Sequence, residues 1–247
     1  MIPTIPQVRV GGLPISRLCF SSTVTLVSRW LASDGHRRVA TANLDFLRLA
    51  HEDPGFRSAL ATCDLVTADG WPVVWLARRA GREVPERVAG SDLVPALAAE
   101  CARTGRSIHL FGGHEGTAEE AAARLVERHP GLRIAGTASP RVDLRDEAAC
   151  ARAASEIRAT RADLLLVGLG APKQDLFLAR WLPATGCRVG IGVGGTFDFL
   201  AGRIRRAPRA VRAVGMEWAW RMAKEPRRLV GRYAADAAHL AKLVAAR

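Results

Sequence analysis

Long apolar runs are missing from this sequence, and so are the short motifs that announce most metal and nucleotide chemistry. No window approaches the roughly 18 uninterrupted apolar residues of a membrane span, and no basic segment leads into an apolar core at the N-terminus. A cytoplasmic chain without a signal peptide is the expectation. The five cysteines, Cys19, Cys63, Cys101, Cys150 and Cys187, stand singly, with no C-x-x-C pair and no histidine spacing suited to zinc, which fits a reducing compartment. D-x-D, the usual carboxylate pair that holds a divalent cation on a nucleotide diphosphate, does not occur. H-E-x-x-H, G-x-S-x-G and G-x-x-x-x-G-K-[ST] are absent too, so no metal ligand is assigned. Lysine is scarce: Lys173, Lys224 and Lys242 are the only three among 36 basic residues, which discounts the arginine excess as a signal in itself.

What is present is an ordinary globular composition, 49% hydrophobic over 247 residues, with a net charge of +12. The charge is unevenly placed. Residues 203–247 hold twelve Lys or Arg against Glu217, Glu225 and Asp236, a net of +9, and leave residues 1–202 close to neutral. The chain is therefore divided into a main domain, 1–202, and a basic helical appendage, 203–247.

After a proline-containing start read as irregular, short apolar runs alternate with amphipathic stretches. The expected strands are Leu18–Ser21, Arg38–Ala42, Asp64–Ala68, Ser107–Phe111, Leu132–Gly136, Asp163–Val167 and Arg188–Val193. The expected helices are Thr23–Leu31, Leu44–Leu49, Trp71–Arg79, Asp92–Thr104, Thr117–Arg128, Asp146–Thr160 and Lys173–Leu182. That alternation predicts an α/β fold, a mostly parallel sheet with helices on both faces.

In such folds ligands bind beyond the carboxyl ends of the strands. These ends carry Thr41-Ala42-Asn43, Thr67-Ala68-Asp69-Gly70, Phe111-Gly112-Gly113, Gly136-Thr137-Ala138-Ser139-Pro140, Gly168-Leu169-Gly170 and Gly194-Gly195-Thr196-Phe197-Asp198, mostly glycine and small polar residues. Asp69 reads either as a cap for the helix starting near Trp71 or as a carboxylate able to take a proton from an attacking hydroxyl. Thr41 and Asn43 read as hydrogen-bonding groups of the same crevice or as helix caps. Gly168 and Gly170 read as a tight turn or as a close approach for phosphate or ribose, with Gln174 reaching back from the first helical turn. Gly190 to Gly195 matches G-x-G-x-x-G in form only. Its first two glycines sit inside an apolar strand run and arginine-rich helix follows Asp198, so hydride chemistry is disfavoured.

In the tail, Leu229, Tyr233, Ala237, Leu240 and Val244 recur at helical spacing among cations, beside Trp218 and Trp220. The stripe suits either an anionic membrane surface or the protein core. Nucleic acid is disfavoured, since no aromatic platform interleaves the cations.

The stretches TANLDF (41–46), TADGWPVVW (67–75), RVAGSDL (87–93), LFGG (110–113), VGLGAPKQD (167–175), GVGGTFDFLAGRIRRAP (192–208) and EWAWRMAKEPRRLVGRY (217–233) resemble, in order, the WecG/TagA/CpsF family of bacterial glycosyltransferases. The resemblance implies a Rossmann-like domain with an appendage that helps build the active site at the membrane. It also implies an inverting, metal-independent transfer of an N-acetylhexosamine or its uronic acid from a UDP-sugar. The acceptor would be a sugar on a polyprenyl diphosphate, for teichoic acid, common antigen or exopolysaccharide.

By motif, Asp69 becomes the catalytic base. Thr41, Asn43, Gly70, Arg87, Gly113, Gly168, Gly170, Gln174, Asp198 and Arg206 are placed at the substrates, and Arg221, Arg228 and Arg232 at a diphosphate. No cofactor is implied beyond the donor itself. Pro140 and Arg141 stand where many relatives carry an aromatic residue able to face the base. The implied location is the inner face of the cytoplasmic membrane, with self-association open. Two other readings stay open, a non-catalytic basic module for anionic lipid or nucleic acid and an enzyme using another nucleotide cofactor.

Overall fold

The computed structural model describes residues 5–81, 83–208, 210–211 and 215–245. The start read as irregular is a hairpin: β1 (Gln7–Val10) pairs antiparallel with β2 (Leu13–Ser16). Its two-residue turn, Gly11-Gly12, has φ of 54° and 87°, the left-handed pair that a tight hairpin demands and that only glycine adopts readily. The strand expected at Leu18–Ser21 does not form. Cys19 is instead the N-cap of α1 (Phe20–Leu31), where Thr23 Oγ1 donates to the Cys19 carbonyl and the Phe20 amide donates to the Glu86 carboxylate. Three apolar residues, Leu18 to Phe20, followed by Ser21-Ser22-Thr23 begin a helix more readily than they sustain a strand.

From there the alternation follows the expected order. β3 (Arg37–Ala42) leads to α2 (Leu44–Glu52), α3 (Pro54–Ala61), β4 (Leu65–Ala68) and α4 (Trp71–Arg79). Helix α3 was not expected; Asp53 accepts from the Gly55 and Phe56 amides and Pro54 occupies the first turn, a local start signal. Then come α5 (Gly90–Thr104), β5 (Ser107–Gly112), α6 (Thr117–Arg128), β6 (Arg133–Ala138), α7 (Glu147–Ala159), β7 (Leu164–Gly168), α8 (Lys173–Thr185), β8 (Val189–Gly192) and α9 (Thr196–Leu200). Two described helices end the chain, α10 (Glu217–Lys224) and α11 (Pro226–Ala245).

Strands β3 to β8 form one sheet, all parallel, in the order β4-β3-β8-β7-β5-β6. Residues alternate between its two faces. Leu164 and Leu166 of β7 enter a core with α1, α5 and α6, while Leu165 and Val167 enter one with α7 and α8. The hairpin, α2 and α3 cover the second face at the β3–β4 end. Gly190 and Gly192, the glycines that mimic a dinucleotide motif, lie inside β8. A Cβ on Gly190 would sit 2.5 Å from Leu178 Cδ2, and one on Gly192 2.6 Å from Gln174 Nε2, so both glycines admit α8 onto the sheet.

Leu240, Leu243 and Val244 of α11 pack on the core of the hairpin and α2, and Leu229 is fully buried. Arg48 ties this contact together. Its Nε meets Asp236 Oδ1 of α11 at 2.9 Å, its Nη1 meets Glu52 at 2.7 Å, and its Nη2 pairs with Asp45. Asp236 is 3% exposed, and burial holds its carboxyl above the usual range against the pull of Arg48. Removing Arg48 leaves that carboxylate buried without its main cation.

Arg48→Ala should therefore cost about 3 kcal/mol in urea unfolding near pH 8. A buried acid with a raised native pKa binds protons more readily folded than unfolded, so the same variant should lose less near pH 5, where Asp236 takes up a proton. An equal loss at both pH values would show that Asp236 is not the group left exposed to the missing charge.

Candidate active site

The connections leaving β5 and β7 run to opposite sides of the sheet, toward β6 and β8 respectively, which opens a crevice at their carboxyl ends. Further along the same edge, β8, β3 and β4 end in the segments that carry Gly194, Asn43 and Asp69.

Asp69 follows β4 and extends its ladder, its amide donating to the Ala42 carbonyl at 2.7 Å. It does not cap α4, whose N-cap is Gly70 with no side-chain cap bond. Its carboxylate turns toward the start of α5 instead. Oδ2 accepts from the Gly90 amide at 3.2 Å, and Oδ1 lies 3.6 Å from Arg87 Nη1. Burial pushes the Asp69 carboxyl up to about 6. Arg87 and the Gly90 amide oppose that rise, while Glu217 and Asp92 add to it. A quarter of its side chain remains exposed, enough for an incoming group to reach it.

The loop that presents Arg87 is pinned to β4. Thr67 Oγ1 donates to the Val88 carbonyl and the Val88 amide to the Ala68 carbonyl, both at 2.9 Å. Around Asp69 the structure assembles an alternating cluster. Arg87 Nη2 meets Asp92 at 3.0 Å and Arg87 Nη1 meets Glu217 at 3.6 Å. Arg206 bridges the same two acids, at 2.8 Å to Asp92 and 3.3 Å to Glu217. Glu217 belongs to α10, so the basic tail touches the Asp69 cluster through one of its few acids.

Thr41 lies beside Asp69 across Gly90. Its hydroxyl donates to the Gly192 carbonyl at 3.2 Å and would stand 3.3 Å from a Cβ on Gly90. Asn43 is the N-cap of α2, accepting from the Phe46 amide at 3.3 Å, and its Cβ sits 3.6 Å from the position of a Cβ on Gly70. Asn43 thus has the capping role and a place next to Asp69 together.

At the β7–β8 end the glycines divide. A Cβ on Gly168 would lie 2.7 Å from Phe197 Cδ2, so this residue is glycine to admit an aromatic ring. Gly113 likewise faces Phe197 and Thr117, and its amide donates to the Gly168 carbonyl at 3.0 Å. The expectation that Gly168 clears space for a phosphate gives way to packing. Gly170 and Gly194 are different: each has positive φ, 74° and 52°, and each has open space where a Cβ would be.

Gln174 is 2% exposed, and its Oε1 accepts from the Gly194 amide at 2.9 Å, so it shapes the turn after β8 from below. Above that turn, Arg221 of α10 lies over the Phe199 ring at 5.2 Å, with Nη2 3.5 Å from the Cβ position of Gly195. Its Nε is buried with no hydrogen-bond partner among the described residues. Asp198 flanks the same turn, Oδ2 3.6 Å from that Cβ position.

The structure thus brings Asp69, Gly70, Thr41, Asn43, Arg87 and Arg206 to one end of the crevice, and Gln174, Gly170, Asp198 and Arg221 to the other. Arg232 falls elsewhere, 3.9 Å from Asp45 on α2 and 5.1 Å over Tyr233, within the contact that docks α11. The Arg228 side chain lies outside the described residues. Asp92, Glu217, Phe197 and Phe199 were not anticipated. Glu217 had a signal, being one of three acids among twelve bases in the tail; the others lay inside the motif stretches RVAGSDL and GVGGTFDFLAGRIRRAP without being singled out. Among the described residues, no group of three His, Cys, Asp or Glu is placed to hold a metal ion, and no helix is long and apolar enough to cross a membrane.

The family model described as "Glycosyl transferase WecG/TagA/CpsF family" matches residues 8–247. The chain belongs to this glycosyltransferase family. Among its relatives is a protein of Bacillus spizizenii named N-acetylglucosaminyldiphosphoundecaprenol N-acetyl-beta-D-mannosaminyltransferase. The two are 28% identical over 221 residues, 87% of this chain and 84% of the relative. Membership places the protein among transferases of cell-envelope polysaccharide synthesis.

The Asp69 carboxyl should titrate near pH 6 when followed by carbon NMR. Arg87→Met removes the nearest opposing cation and should move that midpoint upward by about one unit. An unchanged midpoint would separate Arg87 from Asp69.

Proposed function

We propose that this glycosyltransferase moves an N-acetylhexosamine, N-acetylmannosamine being the sugar named for the Bacillus relative, from a UDP donor to a polyprenyl-diphosphate-linked sugar. The observation that carries the reading is Asp69, a carboxylate at a strand end, released from helix capping, reachable, and poised near pH 6. Such a group is a competent base near neutrality and holds a proton well once it has taken one.

In this mechanism the acceptor hydroxyl gives its proton to Asp69 as its oxygen bonds the anomeric carbon. The bond from that carbon to the β-phosphate oxygen breaks from the opposite side, so the configuration inverts and UDP departs. Arg87 and Arg206 orient the acid cluster around the base. Arg221, with an unpartnered Nε above the Gly194-Gly195 turn, takes the charge that develops on the leaving diphosphate. The open, positive-φ turns at Gly170 and Gly194 leave room for the nucleotide along the same edge.

Charge neutralisation by arginine makes the step independent of a divalent cation. Residues 1–202 form the catalytic domain and 203–247 an appendage that supplies Arg206, Glu217 and Arg221. The lipid-linked acceptor places the enzyme peripherally on the inner face of the membrane. Self-association is compatible with this arrangement.

Asp69→Asn should lower turnover of a UDP-N-acetylhexosamine with a polyprenyl-diphosphate-GlcNAc acceptor by at least about 100-fold. UDP affinity, measured by calorimetry, should stay within about two-fold, because the change removes a proton acceptor and leaves the arginines in place. Equal loss of turnover and UDP binding would make Asp69 a structural residue.

UDP affinity should also be the same in EDTA and in magnesium. A requirement for magnesium would overturn the arginine account of the diphosphate.

A further inference from the structure

Six large apolar side chains remain exposed among the described residues: Trp71, Trp75, Val126, Met216, Trp218 and Val230. All but Val126 lie on α4 or in the tail between Met216 and Val230. Trp71 and Trp75 are one turn apart on α4, whose opposite side, Val73, Val74, Leu76 and Ala77, is buried. The Trp71 ring fills the space where Gly215 would carry a Cβ, so it lies against the residue before Met216. Trp218 meets Tyr233 of α11 edge-on at 6.0 Å, and Val230 is one turn from Tyr233.

The charges on the helices of this surface are mainly positive. Helix α4 carries Arg78 and Arg79, both exposed, and no acid; the Arg79 guanidinium lies 5.6 Å over the Trp75 ring. The acids of α10 and α11 are Glu217 and Asp236, and both are committed inward, to Arg87 with Arg206 and to Arg48. Meanwhile Leu229, Leu240 and Val244 of the apolar stripe of α11, the feature that suggested a membrane helix in the sequence, are turned inward, while Tyr233 meets Trp218.

We infer that α4 and α10 together, through Trp71, Trp75 and Trp218 with their neighbouring cations, form the surface that rests on an anionic phospholipid leaflet. This deepens the peripheral-membrane part of the function proposed above and rests on it. Half-exposed tryptophans interleaved with arginine match the interfacial layer of a bilayer, where rings sit at headgroup depth and cations meet lipid phosphate. A second copy of the chain fits poorly, since a two-fold contact through this patch would set cations against cations. Because Trp71 follows Asp69 by two residues, the mouth of the candidate site would open at the lipid surface, where a lipid-linked acceptor is held.

The test is co-sedimentation of the full chain with vesicles of phosphatidylcholine alone and of phosphatidylcholine with phosphatidylglycerol. Wild type should bind the anionic vesicles preferentially. Trp75→Ser should weaken that binding by about ten-fold through lost interfacial area, and Arg78→Gln with Arg79→Gln by about five-fold per cation. UDP affinity and circular dichroism should stay at wild-type values in each, which separates lost docking from misfolding. Brominated lipid should quench tryptophan fluorescence less in Trp75→Ser than in wild type.

If the α4 variants bind normally and only Trp218→Ser or Arg227→Gln is impaired, α4 has no part in docking and the inference is overturned, while membrane association through the tail stands. If wild type binds no vesicle yet turns over a detergent-dispersed acceptor, both membrane readings fall and the transferase reading survives. Loss of self-association in Trp75→Ser, or RNA that competes for the patch without any vesicle binding, would assign the surface to another partner and overturn it as well.

Discussion

The cluster in which Arg87 and Arg206 alternate with Asp69, Asp92 and Glu217 is the interaction on which the candidate site depends. Its members come from the end of β4, the loop before α5, the first turn of α5, the segment after α9 and the start of α10. Three acids around two arginines leave the cluster one positive charge short of balance when all are ionised. Burial is what chiefly lifts the Asp69 carboxyl to about 6; Arg87 and the Gly90 amide pull it down, and Glu217 and Asp92 add a smaller rise. Through Glu217, the contacts that hold the tail against the α/β domain also contribute to the proton affinity of the proposed base.

The glycines around the crevice show how one residue type serves two physical purposes. Gly168, Gly190 and Gly192 are small because Phe197, Leu178 and Gln174 occupy the space of their missing side chains. Gly170 and Gly194 are glycine for backbone reasons and leave open space. Only the second group offers a ligand access. A motif search weighs all five alike, which is how a strand packed closely by α8 imitates a dinucleotide fingerprint.

A comparable division runs through the tail. Its regular apolar spacing belongs to a helix docked on α2 and the hairpin, fixed by Arg48 between Asp45, Glu52 and Asp236. Its irregularly placed aromatics, with those of α4, stay at the surface. Periodicity reports which side of a helix meets apolar material, without distinguishing a core from a bilayer.

The sequence by itself determined the α/β alternation, the parallel sheet, the family and the strand-end position of Asp69, because these rest on local periodicity and on contiguous motifs. It missed the β1–β2 hairpin and α3, although Gly11-Gly12 and Asp53-Pro54 are local signals, and it placed a strand at Leu18–Ser21 where a helix begins. Only the tertiary structure decided that Asp69 faces Gly90 and Arg87 rather than capping α4, that Gly168 serves Phe197, that Arg232 belongs to the docking of α11, and that Glu217 reaches the cluster. Each of these is a contact between residues far apart in the chain. Their partners are chosen by how the sheet order and the path of the tail bring elements together, which no local spacing encodes.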